Sequence, residues 1–325
     1  MNTPKGNQKH LTLSDRINSE KGLNNGDSFA TIARVVNKDA TTISKEVRKH
    51  SKVKEYKGFA NRQRGGSIMK QYFDLTGQVA IVTGASTGLG VQMAKALANQ
   101  GAKVAVIARR QNLIEEVAAR ITEEFGVETL ALPCDITDTE KVDKTIDLVL
   151  EKWGRIDIVI NNAGTGAVAP AEDITDDQFE NEFNIDLFGS FRVARAAAKK
   201  AMIPANYGRI INIASMYGMV GNKVAPCSPY HAAKGGLVNL TRGLAAEWGK
   251  YNITVNCICP GYFYSPLTKE TLDSDFFQAN AKTMIPLSRY GNEGELDTAT
   301  LFLSSPASSY VTGVILPVDG GYTSM

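Results

Sequence analysis

Cysteine is scarce: four in 325 residues, at Cys134, Cys227, Cys257 and Cys259, with no Cys-x-x-Cys pair. Neither a disulfide-stapled fold nor a thiolate metal site is expected, so no metal is assigned and the thiols read as buried groups in a reducing cytosol. No apolar run reaches the roughly 20 residues of a membrane span. The N-terminus, MNTPKGNQKH, has charges with no apolar core behind them, which argues against a secretory signal and for a cytoplasmic protein. No repeat of 20–50 residues is evident. The composition, 43% hydrophobic and 22% charged, is that of a soluble globular chain with a sizeable core.

The small net charge of +2 hides an asymmetry. Residues 1–70 carry 15 Lys and Arg against 6 Asp and Glu, a net of +9, and the remainder carries 21 against 28, a net of −7. Such a break suggests two units, a basic helical extension over 1–66 and a larger domain over 67–325. In the extension, Asp27 and Ser28 can cap a helix carrying Phe29, Ile32, Ala33 and Val36 at core spacing, with a turn at Asn37 to Asp39 and a second helix over 41–49. The string SFATIARVVNKDATTISKEVRKH resembles the helix-turn-helix of bacterial transposases and regulators. The segment is short of aromatic and apolar residues for a core of its own, which favours an appended arm over a nucleic-acid-binding unit.

The rest is organised around QVAIVTGASTGLG, where an apolar run ends at a turn with Gly84, Gly88 and Gly90 and a helix follows. Glycine lets a phosphate or another backbone come close, and the helix N-terminus offers unpaired N–H groups. Strand, glycine turn and helix in that order make a pyrophosphate site. Further strands are expected at 104–108, 129–133, 156–160, 209–214 and 254–259, and a last one near 314–317. Amphipathic helices over 91–100, 112–125 and 141–153 lie among them. Continuous apolar strands separated by helices imply an α/β fold, a doubly wound, parallel, seven-stranded sheet of the Rossmann type.

Candidate site residues follow along this sheet. Asp135, after the third strand, can accept from an adenine amino group or cap the next helix. In Asn161-Asn162-Ala163-Gly164 small residues let backbone lie against a ribose, and Asn side chains can tie strand ends together. Tyr230 and Lys234 stand four apart in a helical segment, hence on one face. A cation there lowers a phenol pKa from near 10 towards the working range. Ser215, at a strand end upstream, can hydrogen-bond a substrate oxygen.

With TGASTGLG, NNAG, the serine of INIAS, YHAAK and the Pro260-Gly261 of CPG, residues 73–322 resemble the short-chain dehydrogenase/reductase family. The resemblance implies hydride transfer between a nicotinamide and a ketone or secondary alcohol. It gives Tyr230 the proton transfer, Lys234 the nicotinamide ribose and the tuning of Tyr230, and Ser215 the carbonyl. It also implies cofactor contacts from Gly84, Ser86, Thr87, Gly88, Leu89, Gly90, Arg109, Asp135, Ile136, Asn162, Ala163, Gly164, Pro260, Gly261, Phe263 and Ser265. Asp186 stands where the family often has a catalytic asparagine. Ala108 ends the second strand where an acid often meets a 2′-hydroxyl, and Arg109 and Arg110 follow, a pattern leaning to NADP(H). Thr87 leans the other way.

Within the family the chain looks most similar to bacterial 20β-hydroxysteroid dehydrogenases, which puts NAD(H) ahead of NADP(H) and a steroid ketone such as cortisol as substrate. Gluconate 5-dehydrogenase-like and 3-oxoacyl-carrier-protein reductase-like members share the motifs, and a DNA-binding redox sensor is the alternative of another class. Tyr262, Phe263, Tyr264, Phe276, Phe277 and Met284, with Met216, Tyr217, Met219 and Val220, can line a bulky apolar pocket or simply pack as core. A homotetramer is expected from the family's habit.

Overall fold

The computed structural model describes residues 28–38, 72–166, 168–223, 226–265 and 268–325. The chain divides into two compact units, Met1–Gly65 and Gly66–Met325. In the first, helix α1 (Phe29–Val35) starts at Ser28, whose side chain accepts from the Thr31 N–H at 3.2 Å. Ile32, Ala33 and Val36 are buried at the expected spacing, and Asn37 turns the chain with φ 49°. The second helix expected over 41–49 and the boundary near residue 66 lie outside the described residues.

The second unit is a seven-stranded parallel sheet with strands β1 (Val79–Thr83), β2 (Lys103–Ala108), β3 (Thr129–Pro133), β4 (Ile158–Asn161), β5 (Gly208–Ile213), β6 (Ile253–Pro260) and β7 (Ile315–Val318). Their order is β3-β2-β1-β4-β5-β6-β7. Every position of β1, β4, β5 and β6 is buried, as strands covered on both faces must be. On one face Ala80 and Val82 pack with Met93, Leu97 and Ile114, and on the other Val79 and Ile81 pack with Ile146, Val149 and Met202. Each such large side chain contributes about 1.5–3 kcal/mol by leaving water.

The helices that cover these faces end where the sequence lets them. α2 (Gly88–Asn99) follows β1, α3 (Gln111–Phe125) follows β2 and stops at Gly126 with φ 68°, and α4 (Thr139–Trp153) follows β3 and stops at Gly154 with φ 71°. The cap of α4 is Asp138, which accepts from the Lys141 N–H at 3.1 Å. Asp135 therefore does not cap that helix. Its carboxylate closes a tight local turn on the N–H and hydroxyl of Thr137.

Strand order reverses between β1 and β4, which opens a crevice beyond their carboxyl ends. Beyond β4, α5 (Asp176–Phe183) runs into one wider π-type turn, Asn184–Gly189, then α6 (Ser190–Ala197). A π turn inside a helix often marks a functional site. The long helix α7 (Ser228–Trp248) follows β5, with Pro229 in its first turn. α8 (Asp275–Met284) and α9 (Asp297–Ser304) complete the unit before β7. No described helix is long and apolar enough to cross a membrane.

Candidate active site

The glycine turn is held against the end of β4. Asn162 donates from Nδ2 to the carbonyls of Thr83 at 3.0 Å and Gly84 at 3.3 Å. The Thr83 hydroxyl accepts from the N–H groups of Asn162 and Ala163, at 3.0 and 3.1 Å. Gly84 takes φ +65°, and a Cβ there would lie 2.7 Å from the Ala163 Cα, so no larger side chain fits. Asn161, the other half of the pair, donates to the Ser190 carbonyl and to Asn212 Oδ1, tying β4 to β5 and α6. Small residues and amides there serve structure first.

A cleft of about 470 Å³ runs from this turn across the strand ends to α7. The glycine turn lines it with Gly84, Ser86, Thr87, Gly88 and Leu89, and the end of β4 with Asn162, Ala163 and Gly164. Arg109, Asp135 and Ile136 line one end, and Ser215, Tyr230, Lys234, Pro260, Gly261, Phe263 and Ser265 the other. Gly90 is not on the wall; it is buried behind the turn, where a Cβ would meet Asn162 Nδ2 and the Gly84 carbonyl. Asp186 is also off the wall, fully buried behind Lys234. Thr165, Ile185, Thr268 and Arg110 line the cleft as well, without having been singled out as contacts. The Arg110 Nη2 donates to the hydroxyls of Ser86 at 2.8 Å and Thr87 at 3.4 Å, a bridge across the turn that only the fold brings together.

Tyr230 and Lys234 share one face of α7, with the Lys234 Nζ 5.6 Å from the centre of the Tyr230 ring. The ammonium donates to the Ile213 carbonyl at 3.1 Å and pairs with Asp186 Oδ1 at 3.3 Å. Asp186 Oδ1 also accepts from the Thr165 N–H at 3.1 Å. Ser215 lies two residues past β5; its Oγ accepts from the Tyr217 N–H at 3.1 Å, and it lines the cleft beside Tyr230. Burial pushes the Tyr230 pKa above its ordinary value; Lys234 and Ser215 pull it down and Asp186 pushes it back up. The expected depression is thus not the net effect, because the phenolate is poorly solvated here. For Lys234 burial favours loss of the proton, but Asp186 and the other groups around it more than reverse this, so the ammonium is retained.

The aromatic residues expected to line a bulky pocket are largely core. Tyr262, Phe277, Met216 and Leu272 are buried together, with Tyr217, Met284 and Tyr322 packed against them. The Tyr217 and Tyr262 hydroxyls meet at 2.6 Å. Phe263 is buried beside the cleft, while Tyr264 and Met219 are exposed. All four cysteines are buried and unpaired, with the sulfurs of Cys257 and Cys259 3.8 Å apart on β6.

A family profile described as enoyl-(acyl carrier protein) reductase matches residues 84–323. The chain belongs to the short-chain dehydrogenase/reductase family. It is 36% identical over 251 residues to gluconate 5-dehydrogenase from Gluconobacter oxydans (strain 621H), covering 77% of this chain and 96% of that one. It is 36% identical over 253 residues to D-threitol dehydrogenase from Mycolicibacterium smegmatis, covering 77% and 95%. The solved gluconate 5-dehydrogenase from Burkholderia cenocepacia J2315, in complex with NADP and tartrate, superposes with a TM-score of 0.75 at 34% identity, over 79% of this chain and 99% of that one. A second profile, of a helix-turn-helix domain, matches residues 7–50. The similarity to steroid enzymes expected within the family gives way: these relatives are named for a sugar acid and a polyol.

The chain is thus an NAD(P)-dependent oxidoreductase by family, and its cleft suits a dinucleotide. A glycine turn that no Cβ could share opens a 12-residue helix at one end, and a buried ammonium stands at the other.

Proposed function

We propose that the large unit interconverts a secondary alcohol and a ketone on a polyhydroxylated substrate of the sugar-acid or polyol class, with NADP(H) as the preferred cofactor. The observation that carries the reading is the convergence of Ser215, Tyr230 and Lys234 on one end of a dinucleotide-sized cleft. The substrate class is supported by the names of the relatives. It is also supported by the packing of Tyr262 and Phe277 into a core rather than onto the cleft. With the steroid resemblance gone, the reason for placing NAD(H) first goes too. Ala108 at the end of β2 leaves no acid to meet a ribose 2′-hydroxyl, and Arg109 and Arg110 are exposed beside Ser86.

A bound nicotinamide supplies the hydride acceptor or donor. In oxidation, the Tyr230 phenolate takes the hydroxyl proton as the carbinol carbon gives up its hydride; in reduction, the phenol returns the proton to the carbonyl oxygen. Ser215 holds that oxygen and balances its developing charge by a hydrogen bond. Lys234 would hold the nicotinamide ribose. The glycine turn and the start of α2 would hold the pyrophosphate, and Asp135 would face the adenine end.

The test follows oxidation of NADPH and of NADH separately against keto-sugar acids, ketoses, keto-steroids and acyl ketones. Turnover of a keto-sugar acid or ketose with NADPH is expected; turnover of keto-steroids alone ends the reading.

A second reading concerns the basic extension. The helix-turn-helix match over residues 7–50 and the net +9 of residues 1–70 favour duplex DNA as its partner, against the appended arm first preferred. Salt-dependent retention of the intact chain on duplex DNA, lost on removing residues 1–65, supports it; indifference to DNA ends it. A homotetramer remains the expected assembly, and a monomer in light scattering contradicts it.

A further inference from the structure

We propose that Asp186 is a positioning residue: its carboxylate pairs with the Lys234 ammonium and so sets how strongly that cation acts on Tyr230. The inference deepens the reading of Tyr230 as the proton carrier and rests on it. Asp186 is 0% exposed and Lys234 3%, so water screens neither. Their 3.3 Å separation makes them one ion pair rather than two independent charges. The carboxylate is fixed from two sides. The Thr165 N–H and the Lys234 ammonium both meet Oδ1, and Gly164 leaves room for that oxygen, since a Cβ there would land on it. Among the described residues Oδ2 has no hydrogen-bond partner, and Oδ1 meets Lys234 and the Thr165 N–H. Ser190 bonds the Asp186 carbonyl at 3.0 Å and holds the π turn that presents this side chain.

The groups that act on Tyr230 come from each packed element. Lys234 is on its own helix α7, Asp186 on the π turn, Glu182 at the end of α5 and Ser215 beyond β5; Cys257 on β6 acts on Lys234. Lys234 and Ser215 work for the phenolate, and Asp186 and Glu182 against it. A neutral amide in place of Asp186 would keep the shape and the bond from Thr165 but leave the ammonium uncompensated. If Asp186 merely filled space or anchored the turn, that exchange would change nothing electrostatic.

The experiment reads Tyr230 directly, without a substrate. The ultraviolet tyrosinate signal is titrated in the full chain with and without Tyr230→Phe, in the wild-type and Asp186→Asn backgrounds, and each difference isolates Tyr230 from the other tyrosines. The transition is expected at lower pH in Asp186→Asn, and the rising limb of alcohol oxidation should move down with it. An unmoved or upward transition overturns the proposal. Should Asp186→Asn fail to fold, Asp186→Ser gives the second arm: it also removes the carboxylate and leaves Lys234 in place, so the transition is again expected at lower pH, and an unmoved transition overturns the proposal. A shifted titration in a protein that turns over none of the substrate panel supports the charge coupling while ending the functional reading, so the two failures are separable.

Discussion

Gly90→Ala tests whether the glycine turn is fixed by packing against Asn162. The added Cβ would lie 2.6 Å from Asn162 Nδ2, 2.6 Å from the Gly84 carbonyl and 3.0 Å from the Ala85 Cα. Two of these neighbours are backbone and cannot swing aside. Overpacking of this kind costs about 1–3 kcal/mol. The helix-propensity gain of Gly to Ala returns about 1 kcal/mol, so the net is destabilising by about 0–2 kcal/mol. For a unit of this size that is a fall in Tm of up to about 8 °C. Asn162→Ala alone strips the Thr83 and Gly84 carbonyls of their donor, at about 1–3 kcal/mol. Combined with Gly90→Ala it also removes one of the three clashes, so the double variant should be less damaged than the sum by about 0.5–1 kcal/mol. Urea unfolding of the four proteins gives the cycle, and NADPH fluorescence titration shows whether the turn still grips its ligand. Strict additivity, or a stabilised Gly90→Ala, would refute the packing argument.

Tyr230→Phe should lower kcat by about 10²–10⁴ with cofactor binding retained, read by steady-state kinetics and NADPH titration; a loss below about tenfold contradicts the assigned role. Arg109→Ala with Arg110→Ala should raise the KM for NADPH about tenfold and leave that for NADH unchanged. The low end of a charged hydrogen bond is used because both arginines are exposed; a constant NADPH/NADH ratio rejects NADP(H) preference. The phenols of buried Tyr262 and half-buried Tyr207, Tyr217 and Tyr230 are all pushed above their ordinary value of 10.0, by desolvation first. The unfolded chain therefore loses these protons first, and stability should hold below that pH and decline above it, measured as urea midpoints against pH. A flat alkaline limb contradicts their burial.

The parallel sheet was legible because strands buried on both faces must be apolar throughout, and β1 and β3 occupy the residues expected. The helix after the glycine turn starts at Gly88, three residues before the expected position, because glycines score poorly as helix formers even where a turn requires them. β4 starts at Ile158 rather than 156, where Asp157 turns its carboxylate to the Val79 N–H and to Arg155. The i, i+4 geometry of Tyr230 and Lys234 is local and could be read directly. The bridge from Arg110 to Ser86 and the pairing of Asp186 with Lys234 could not, since each joins segments that only the crossovers bring together. Aromatic content left two readings open: composition cannot separate a pocket wall from a satellite core, and Tyr262 and Phe277 belong to the core.

The charge arrangement behind the cleft shows what stability alone does not explain. Burying a lysine and an aspartate costs several kcal/mol per ion before their attraction returns any of it, and apolar residues of the same volume often serve a fold as well or better. Yet the pair sits against strand ends whose sheet is packed on both faces by apolar side chains. Its ammonium alone reaches the cleft, and its carboxylate stays behind the wall. A cation required at that wall explains the lysine, and the lysine's cost in a buried position explains its partner. Because the carboxylate then also opposes ionisation of the phenol one helical turn away, holding the cation and activating the tyrosine are competing demands. Exchanging Asp186 for a neutral amide is the change that separates them.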